Sequence, residues 1–257
     1  MRLARVALLG VVVVSQSAWA AHPWTIGNVP SYYQGHYGTP QTIGIFYDPT
    51  YLQYQTPRLR LKFTIPYISV SNLPVGAKLT NGTLSARTQN TQTITASGLG
   101  DMWLAGHFTV IPERGLRPAL VPYAKIKFGT ASAAKGLGTG RNDYEVGLGL
   151  NSTIGANVFP FAHIGYRFVG SPPGQHLQNI ATYDAGVSIA ATVRNIITAM
   201  YAGNQSEQAG YAGSSDAILA WNYNVTTAGS GFQVYLDKGL SSGSANLGVG
   251  VGGQVVF

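Results

Sequence analysis

The chain has 257 residues, a length that suits a single large β domain. Only 10% of the residues are charged, against about 25% in an average soluble domain, whereas there are 33 glycines and 15 tyrosines. So few charges cannot easily coat a water-exposed surface. The net charge of +7 comes without the Lys/Arg cluster of a nucleic-acid-binding surface, so we expect no nucleic-acid partner.

The first twenty residues have the pattern of a signal peptide. Arg2 and Arg5 form a positively charged start, the apolar run VALLGVVVV follows, and residues 18–20 form a small-x-small cleavage site. We predict a signal peptide at residues 1–20 and one domain at 21–257, with a net charge of +5 once Arg2 and Arg5 are removed. The sequence has no cysteine, so this exported chain would fold without disulfides.

Period-two alternation of apolar and polar side chains recurs along the rest of the chain. In RLRLKFTIPY apolar residues occupy every second position from Leu59 to Tyr67, and Arg58, Arg60, Lys62 and Thr64 take the other face. Because side chains on a strand alternate faces, one face is apolar and the other polar. The same split recurs in DMWLAGHFTV, YAKIKF, DYEVGLGLN, AHIGYRF and later segments, without convincing helical spacing. The sequence therefore predicts an all-β fold.

The predicted strands are about ten residues long, which is typical of outer-membrane barrels. Their polar faces carry mostly glycine, serine, asparagine and single charges, which suit the crowded interior of a closed barrel. Short links alternate with long ones, and barrels of this kind place short turns in the periplasm and long loops outside. The long links are residues 71–97, 130–141, 170–179, 205–214 and the segment GLSSGSAN.

Strand parity extends the count toward the N-terminus. The segment QTIGIFYDPTYLQY would run toward the periplasm, so an outward-running strand must precede it. Only residues 21–38 are available for that strand, and their pattern is weak and interrupted by prolines. Because single-chain bacterial barrels have even strand numbers, we predict an antiparallel transmembrane β-barrel of about 12 strands with a poorly formed first strand.

The chain ends on NLGVGVGGQVVF, a strand pattern with an aromatic last residue. Its apolar face, which includes Leu247, Val249 and Val251, would contact lipid, and Phe257 would lie in the aromatic girdle at the membrane interface. This pattern resembles the C-terminal signal that the barrel-assembly machinery recognises. We expect that machinery, through Phe257, and outer-membrane lipids as partners, and the bacterial outer membrane as the location.

Three segments resemble an outer-membrane β-barrel transporter family associated with the meta-pathway of phenol degradation. They are RLRLKFTIPYISV, GLGDMWLAGHF (98–108) and YAKIKFGTASAAKGLGTGRNDYEVGLGL (123–150). The shared features are a Gly-Leu-Gly-Asp strand start, a lysine-bearing strand before a Gly/Thr/Ser-rich loop, and a Gly-Thr-Gly-x-x-Asp-Tyr segment at 138–144. The proline usual after the lysine strand is missing, since Phe128 runs straight into Gly129. The resemblance implies uptake of small compounds, a class that includes aromatic ones, and identifies no single solute.

Charged and aromatic side chains on the polar faces are candidates for a pore lining. A charge on the lipid face would cost about 2–4 kcal/mol at the membrane midplane, so we expect these charges to face inward. Rings of cations bias a pore toward anions, but the same residues could instead form a ladder of ion pairs that plugs a narrow barrel. The predicted pore-lining residues are Arg58, Arg60, Lys62, His107, Tyr123, Lys125, Lys127, Glu145, His163, Arg167, Asp184 and Tyr235.

From this pattern we predict passive uptake of small, aromatic or anionic solutes, with no cofactor, no metal and no catalysis. One alternative is a lipid-modifying hydrolase on the same barrel that uses His107 or His163. Neither histidine has a serine at a neighbouring inward position of its own strand, so a catalytic triad would have to form across strands. The other alternative is a structural barrel with a plugged lumen.

Overall fold

The computed structural model describes residues 3–4, 14–15, 22–80 and 83–257. None of these residues belongs to a helix long and apolar enough to cross a membrane. A two-residue ladder joins β1 (Leu3–Ala4) to β2 (Val14–Ser15). The rest of residues 1–20 lies outside the described residues, so the signal peptide stays a prediction.

The described chain forms the predicted antiparallel barrel, which has 12 strands. The first barrel strand is interrupted between Asn28 and Ser31, and the fourth between Leu99 and Met102. The wall elements are β3 (Trp24–Asn28), β4 (Ser31–Gly35), β5 (Ile43–Gln55), β6 (Leu59–Pro74), β9 (Thr93–Leu99), β10 (Met102–Phe108), β11 (Ala119–Phe128), β12 (Asp143–Asn151), β13 (Val158–Phe168), β14 (Ile180–Ala190), β15 (Asn195–Asn204), β16 (Ser214–Asn224), β17 (Gly231–Gly239) and β18 (Leu247–Val256).

The interruption of the first strand has a local cause. Val29 and Pro30 separate β3 from β4, and proline lacks the backbone N–H that a ladder needs. Both halves nevertheless pair with β5 on one side and β18 on the other. The weak pattern of residues 21–38 therefore reflects a strand broken by proline.

The last strand closes the barrel against the first. Val255 lies opposite Ile26 and Val249 opposite Tyr32. The backbone N–H of Phe257 donates to Trp24 O at 2.9 Å, and that of Trp24 donates to Phe257 O at 3.1 Å. Closure pairs the edges that an open sheet would leave exposed, so the C-terminal residue is part of the wall.

The connections divide by length between the two ends of the barrel. One end, which we call the short-turn end, carries links such as residues 191–194 and 225–230. The opposite, long-loop end carries residues 129–142 and 169–179. The predicted long loop at 71–97 is mostly strand, because β6 continues to Pro74 and β9 starts at Thr93. Between them, β7 (Lys78–Thr80) and β8 (Thr83–Ala86) form a separate hairpin.

The outward face of the wall is apolar. Leu247, Val249 and Val251 are exposed there, and Phe257 is 55% exposed. Exposed aromatic residues occur toward both ends of the wall, as in the girdles of membrane barrels. Ring pairs on the outward face include Trp24 with Tyr54, with centroids 4.9 Å apart, and Tyr183 with Tyr201, with centroids 6.0 Å apart.

One carboxylate departs from the expectation that the strand charges face inward. Asp48 alternates with Tyr47 and Pro49, which line the interior, so its position is on the outward face. Asn28 Nδ2 donates to Asp48 Oδ1 at 2.6 Å and to Thr50 Oγ1 at 2.9 Å. The carboxylate therefore has a polar partner on the neighbouring strand.

Glycines on the inward face make room for rings from neighbouring strands. A Cβ on Gly250 would overlap the ring of Tyr235, and a Cβ on Gly248 would overlap that of Tyr33. The glycines that alternate along β18 thus serve packing inside the barrel. Further pairs of this kind are Gly27 with Tyr51, Gly147 and Gly165 with Tyr123, and Gly149 with His163.

Candidate functional site: the cavity inside the barrel

A cavity of about 320 Å³ lies inside the barrel. Its lining combines aromatic rings from several strands with a small number of charged side chains, of which three are cations and one is a carboxylate. The aromatic residues are Tyr33, Tyr47, Tyr51, Trp103, Tyr123 and Tyr235, and the charged residues are Arg60, Lys62, Lys125 and Asp184. His107 and His163 complete the polar part of the lining.

The structure brings eight of the predicted pore-lining residues together around this cavity, and four lie elsewhere. Arg58 is exposed in the turn before β6, beside a smaller cavity of about 40 Å³. The other three belong to ion pairs inside the barrel. Those at the cavity are Arg60, Lys62, His107, Tyr123, Lys125, His163, Asp184 and Tyr235; those in ion pairs away from the cavity lining are Lys127, Glu145 and Arg167.

Four aromatic residues of the lining are absent from the predicted pore-lining set, namely Tyr33, Tyr47, Tyr51 and Trp103. Trp103 carried a usable signal, because it alternates with the apolar residues Met102 and Leu104 and so faces inward. The signal at Tyr33 was hidden, since the break at Val29 and Pro30 disrupts the alternation of the first strand.

One wall of the cavity is cationic and aromatic. Arg60 and Lys62 occupy alternate positions of β6, near the short-turn end. Lys62 Nζ lies 3.9 Å from the centre of the Tyr51 ring, within the range of a cation–π interaction. Among the described residues, no carboxylate lies within ion-pair distance of the Arg60 guanidinium. Arg60 therefore presents a charge at the cavity without a carboxylate partner.

The two histidines lie on either side of Tyr123. His107 stacks on the Tyr123 ring with centroids 5.3 Å apart, and the His163 ring meets it edge-on at 6.3 Å. His163 Nδ1 lies 2.6 Å from Asp184 Oδ1, its direct neighbour across the β13–β14 ladder. Within the part of the chain that the structure describes, no serine or threonine hydroxyl makes a hydrogen bond with His163. His163 therefore has a carboxylate partner in this arrangement and no bonded hydroxyl among the described residues.

Glu145 is the centre of one ion-pair group. Its buried carboxylate lies 2.8 Å from Lys125 Nζ through Oε1 and 2.9 Å from Arg167 Nη2 through Oε2. The hydroxyl of Thr182 donates to the same carboxylate at 3.3 Å. Arg167 also reaches Glu207, in the loop between β15 and β16, at 3.4 Å. This group matches the alternative prediction, in which these residues form a ladder of ion pairs inside the barrel.

Lys127 is the centre of a second group. It is fully buried, with Nζ 2.7 Å from Asp143 Oδ2 and 3.6 Å from Asp101 Oδ2. Asp101 Oδ1 accepts a hydrogen bond from the backbone of Ala131, and Asp143 Oδ1 accepts one from the backbone of Gly170. Lys127 thereby holds two acids that anchor loops at the long-loop end, so its contribution is structural in this arrangement.

A hydrophobic cluster closes the barrel at the long-loop end. Leu79 and Leu84 of the β7–β8 hairpin are 0% and 3% exposed. Tyr33 and Tyr47 pack against this cluster and also line the cavity, so the cluster lies directly beside the cavity. Other members of the cluster include Tyr37, Ile43, Ile45, Ile68, Val70, Leu73, Ala131, Leu137 and Ala245.

The described residues contain no group of three or more His, Asp and Glu side chains that could hold a metal ion.

The fold matches solved outer-membrane channels. The COG4313 outer membrane channel from Pseudomonas putida F1 is 14% identical, with a TM-score of 0.69 over 99% of this chain and 100% of that chain. The NanC porin is 10% identical, with a TM-score of 0.53 over 90% of this chain and 98% of that chain. Neither a protein-family model nor a curated protein matches this sequence. The likeness therefore shows the fold, and the resemblance to the phenol meta-pathway family stays a prediction.

Proposed function

We propose that this protein is a passive channel of the bacterial outer membrane for small, aromatic or anionic solutes. The apolar outward face, its aromatic residues and a fold similar to that of outer-membrane channels support the location. In this proposal the long-loop end is extracellular and the short-turn end periplasmic. Outer-membrane lipids and, through Phe257, the barrel-assembly machinery are the proposed partners.

The composition of the cavity lining carries the proposal for the solute. Aromatic rings on several sides would stack on a flat, apolar ring, and the three cations outnumber the one carboxylate. The charges at the cavity are not equivalent. Lys125 is paired with Glu145, and Asp184 is bonded to His163, whereas Arg60 has no carboxylate within ion-pair distance among the described residues. Arg60 therefore supplies the positive potential that would favour an anion.

Passive transport requires no cofactor and no catalytic step. A solute would move down its gradient, with contacts favourable enough for entry and weak enough for release. Six aromatic residues line the cavity in the described barrel, and their rings can contact a solute without a strict orientation. The lining thus suits a class of small solutes better than one tightly bound ligand.

The test is the ion selectivity of the protein in planar lipid bilayers under a salt gradient. We expect an anion preference that Arg60→Glu shifts toward cations. Arg114→Glu is the matched control, because Arg114 is exposed in the turn between β10 and β11, away from the cavity lining. Folded protein that never conducts, or a selectivity that Arg60→Glu leaves unchanged, would contradict the proposal.

The same preparation tests the hydrolase alternative. That alternative would use His107 or His163, and of the two His163 has an acidic partner, because its Nδ1 lies 2.6 Å from Asp184 Oδ1. Release of fatty acids from phospholipid vesicles that His163→Ala abolishes would favour that alternative over the channel. We expect no release above the protein-free background.

A further inference from the structure

We propose that the β7–β8 hairpin is a displaceable lid over the extracellular side of the cavity and that Arg87 is its latch. The inference rests on the proposed function, because a lid matters only if solutes cross the barrel. The underside of the hairpin is buried through Leu79 and Leu84 against the inner wall. Tyr33 and Tyr47 lie between this buried face and the cavity, so a solute from the extracellular side meets the hairpin first.

The hairpin is attached to the barrel in the way a lid requires. The backbone N–H of Val75 donates to Gln92 O at 2.9 Å, so the segment between them leaves the wall and returns to it at one point. β7 and β8 pair with each other and form a sheet separate from that of the wall. Gly76, at the base, has a φ of +93°, and a Cβ at this position would meet only a methyl group of Thr88, 4.0 Å away. The base is therefore a narrow connection with room to turn.

Arg87, which follows β8, joins the hairpin to two other loops. Its Nε donates to Tyr37 O at 2.7 Å, and its Nη1 donates to Ser206 Oγ at 3.2 Å. Its backbone N–H donates to Gln208 Oε1 at 2.6 Å. The guanidinium also lies 5.4 Å from the centre of the Tyr211 ring. One buried side chain thus links three extracellular loops through polar bonds that water could replace. The hairpin itself adds bonds to a fourth loop, from Leu79 N–H to Gly136 O at 2.9 Å and from Lys78 Nζ to Ala133 O.

Two buried polar atoms in the closed arrangement of the described chain also lack hydrogen bonds. Thr80 Oγ1 and the Tyr37 hydroxyl are buried and have no hydrogen-bond partner among the described residues. Buried polar atoms without partners oppose burial, and water would satisfy them once the hairpin moved outward. These two groups reduce the advantage of the closed state over an open one. In a permanently closed barrel, unpaired polar atoms on the hairpin and on the loop beside it would lower stability without any benefit.

The first test removes the lid. Because Val75 and Gln92 are already hydrogen-bonded, residues 76–91 can be replaced by Asn-Gly, which favours a two-residue hairpin turn. In planar bilayers we expect the lidless protein to conduct several-fold more than the intact chain. Arg87→Ala should raise the open probability of the intact chain several-fold. Arg141→Ala, which removes an exposed arginine from another extracellular loop, should leave it unchanged.

The outcomes separate the lid from the channel. If lidless and intact proteins conduct equally, the channel stands and the lid is wrong. If the folded lidless protein does not conduct, the proposed channel function itself is wrong. If the lidless protein conducts but the intact chain and Arg87→Ala both stay closed, the hairpin is a fixed plug, and both the latch and passive passage through the intact protein are overturned.

A second measurement tests whether the hairpin opens, and it does not rely on conductance. The chain has no cysteine, so Leu84→Cys places a single thiol on the buried face of the hairpin. We expect a membrane-impermeant thiol reagent to label that thiol slowly, and Arg87→Ala to raise the rate several-fold. Leu116→Cys, at a fully exposed position, should be labelled rapidly in both backgrounds. Equal labelling of position 84 with and without Arg87 would overturn the latch.

Discussion

Lys125 Nζ lies 2.8 Å from Glu145 Oε1, directly across the ladder between β11 and β12. Arg167 holds the other oxygen of the same carboxylate at 2.9 Å. One buried acid therefore partners two cations that an alternation pattern would count as pore charges. The anion preference of the barrel should depend on Arg60 more than on Lys125.

Removing the charge of Glu145 tests this pairing. Glu145→Gln leaves Lys125 and Arg167 inside the barrel without their shared carboxylate, and breaking a buried pair typically costs about 3–5 kcal/mol. We expect a loss of that order in the free energy of unfolding by urea, and a stronger anion preference in the protein that folds. Glu113→Gln, in the turn between β10 and β11, should cost less. Unchanged stability together with unchanged selectivity would show that the pairing has no energetic role.

The glycines of the last strand make a second prediction. A methyl group at Gly250 would overlap Tyr235, whose hydroxyl is 2.6 Å from the hydroxyl of Tyr33. Overpacking of this kind costs about 1–3 kcal/mol, so Gly250→Ala should lower the urea midpoint. Gly106→Ala is the control, because its nearest neighbour would be a flexible Leu61 methyl group at 3.3 Å. Equal midpoints for the two variants would contradict a packing role for Gly250.

The sequence predicted the wall well because lipid imposes one simple rule on it. Apolar residues at Leu247, Val249 and Val251 face outward whatever their neighbours are, so the alternation alone locates the strand and its faces. The same rule also explains the broken first strand, since prolines interrupt its pattern as they interrupt its ladder.

The interior was harder to predict because it depends on partners far apart in the sequence. Lys125 is compensated only because the register places it opposite Glu145, and a slip of one residue would turn one of the two side chains to the other face. The lid was missed for a different reason. Asn-Gly between two short runs, KLT and TLSA, is a hairpin signal within residues 71–97, but no local pattern indicates that the hairpin folds inward.

The aromatic lining makes a third prediction, about which anions interact with the channel. Benzoate should reduce the ion current at lower concentration than acetate, because its ring can stack on the aromatic residues of the cavity. Trp103→Leu should weaken the effect of benzoate and leave that of acetate unchanged. Trp221→Leu is the matched control, since Trp221 lies on the outward face. Equal block by the two acids would argue against an aromatic solute.

The pH dependence of stability should reflect the protonation of Glu207, which lies in an extracellular loop of the proposed channel. Burial raises the pKa of the Glu207 carboxyl above its ordinary value, and the nearby Arg167 guanidinium offsets only part of this rise. The other charged groups that act on it are Asp143, Lys127 and Arg87. The folded protein therefore binds this proton more tightly than the unfolded chain does.

The sign of the effect follows from that difference. The stabilisation is fully present below the unfolded pKa and is lost as the pH rises through the higher folded pKa of Glu207. Glu207→Gln, which resembles the protonated form, should raise the urea midpoint at neutral pH and flatten its pH dependence between acidic and neutral buffers. Glu113→Gln should leave the pH dependence of the urea midpoint the same as in the parent protein. A lower midpoint for Glu207→Gln at neutral pH would mean that the pairing with Arg167 outweighs the cost of burying the carboxylate.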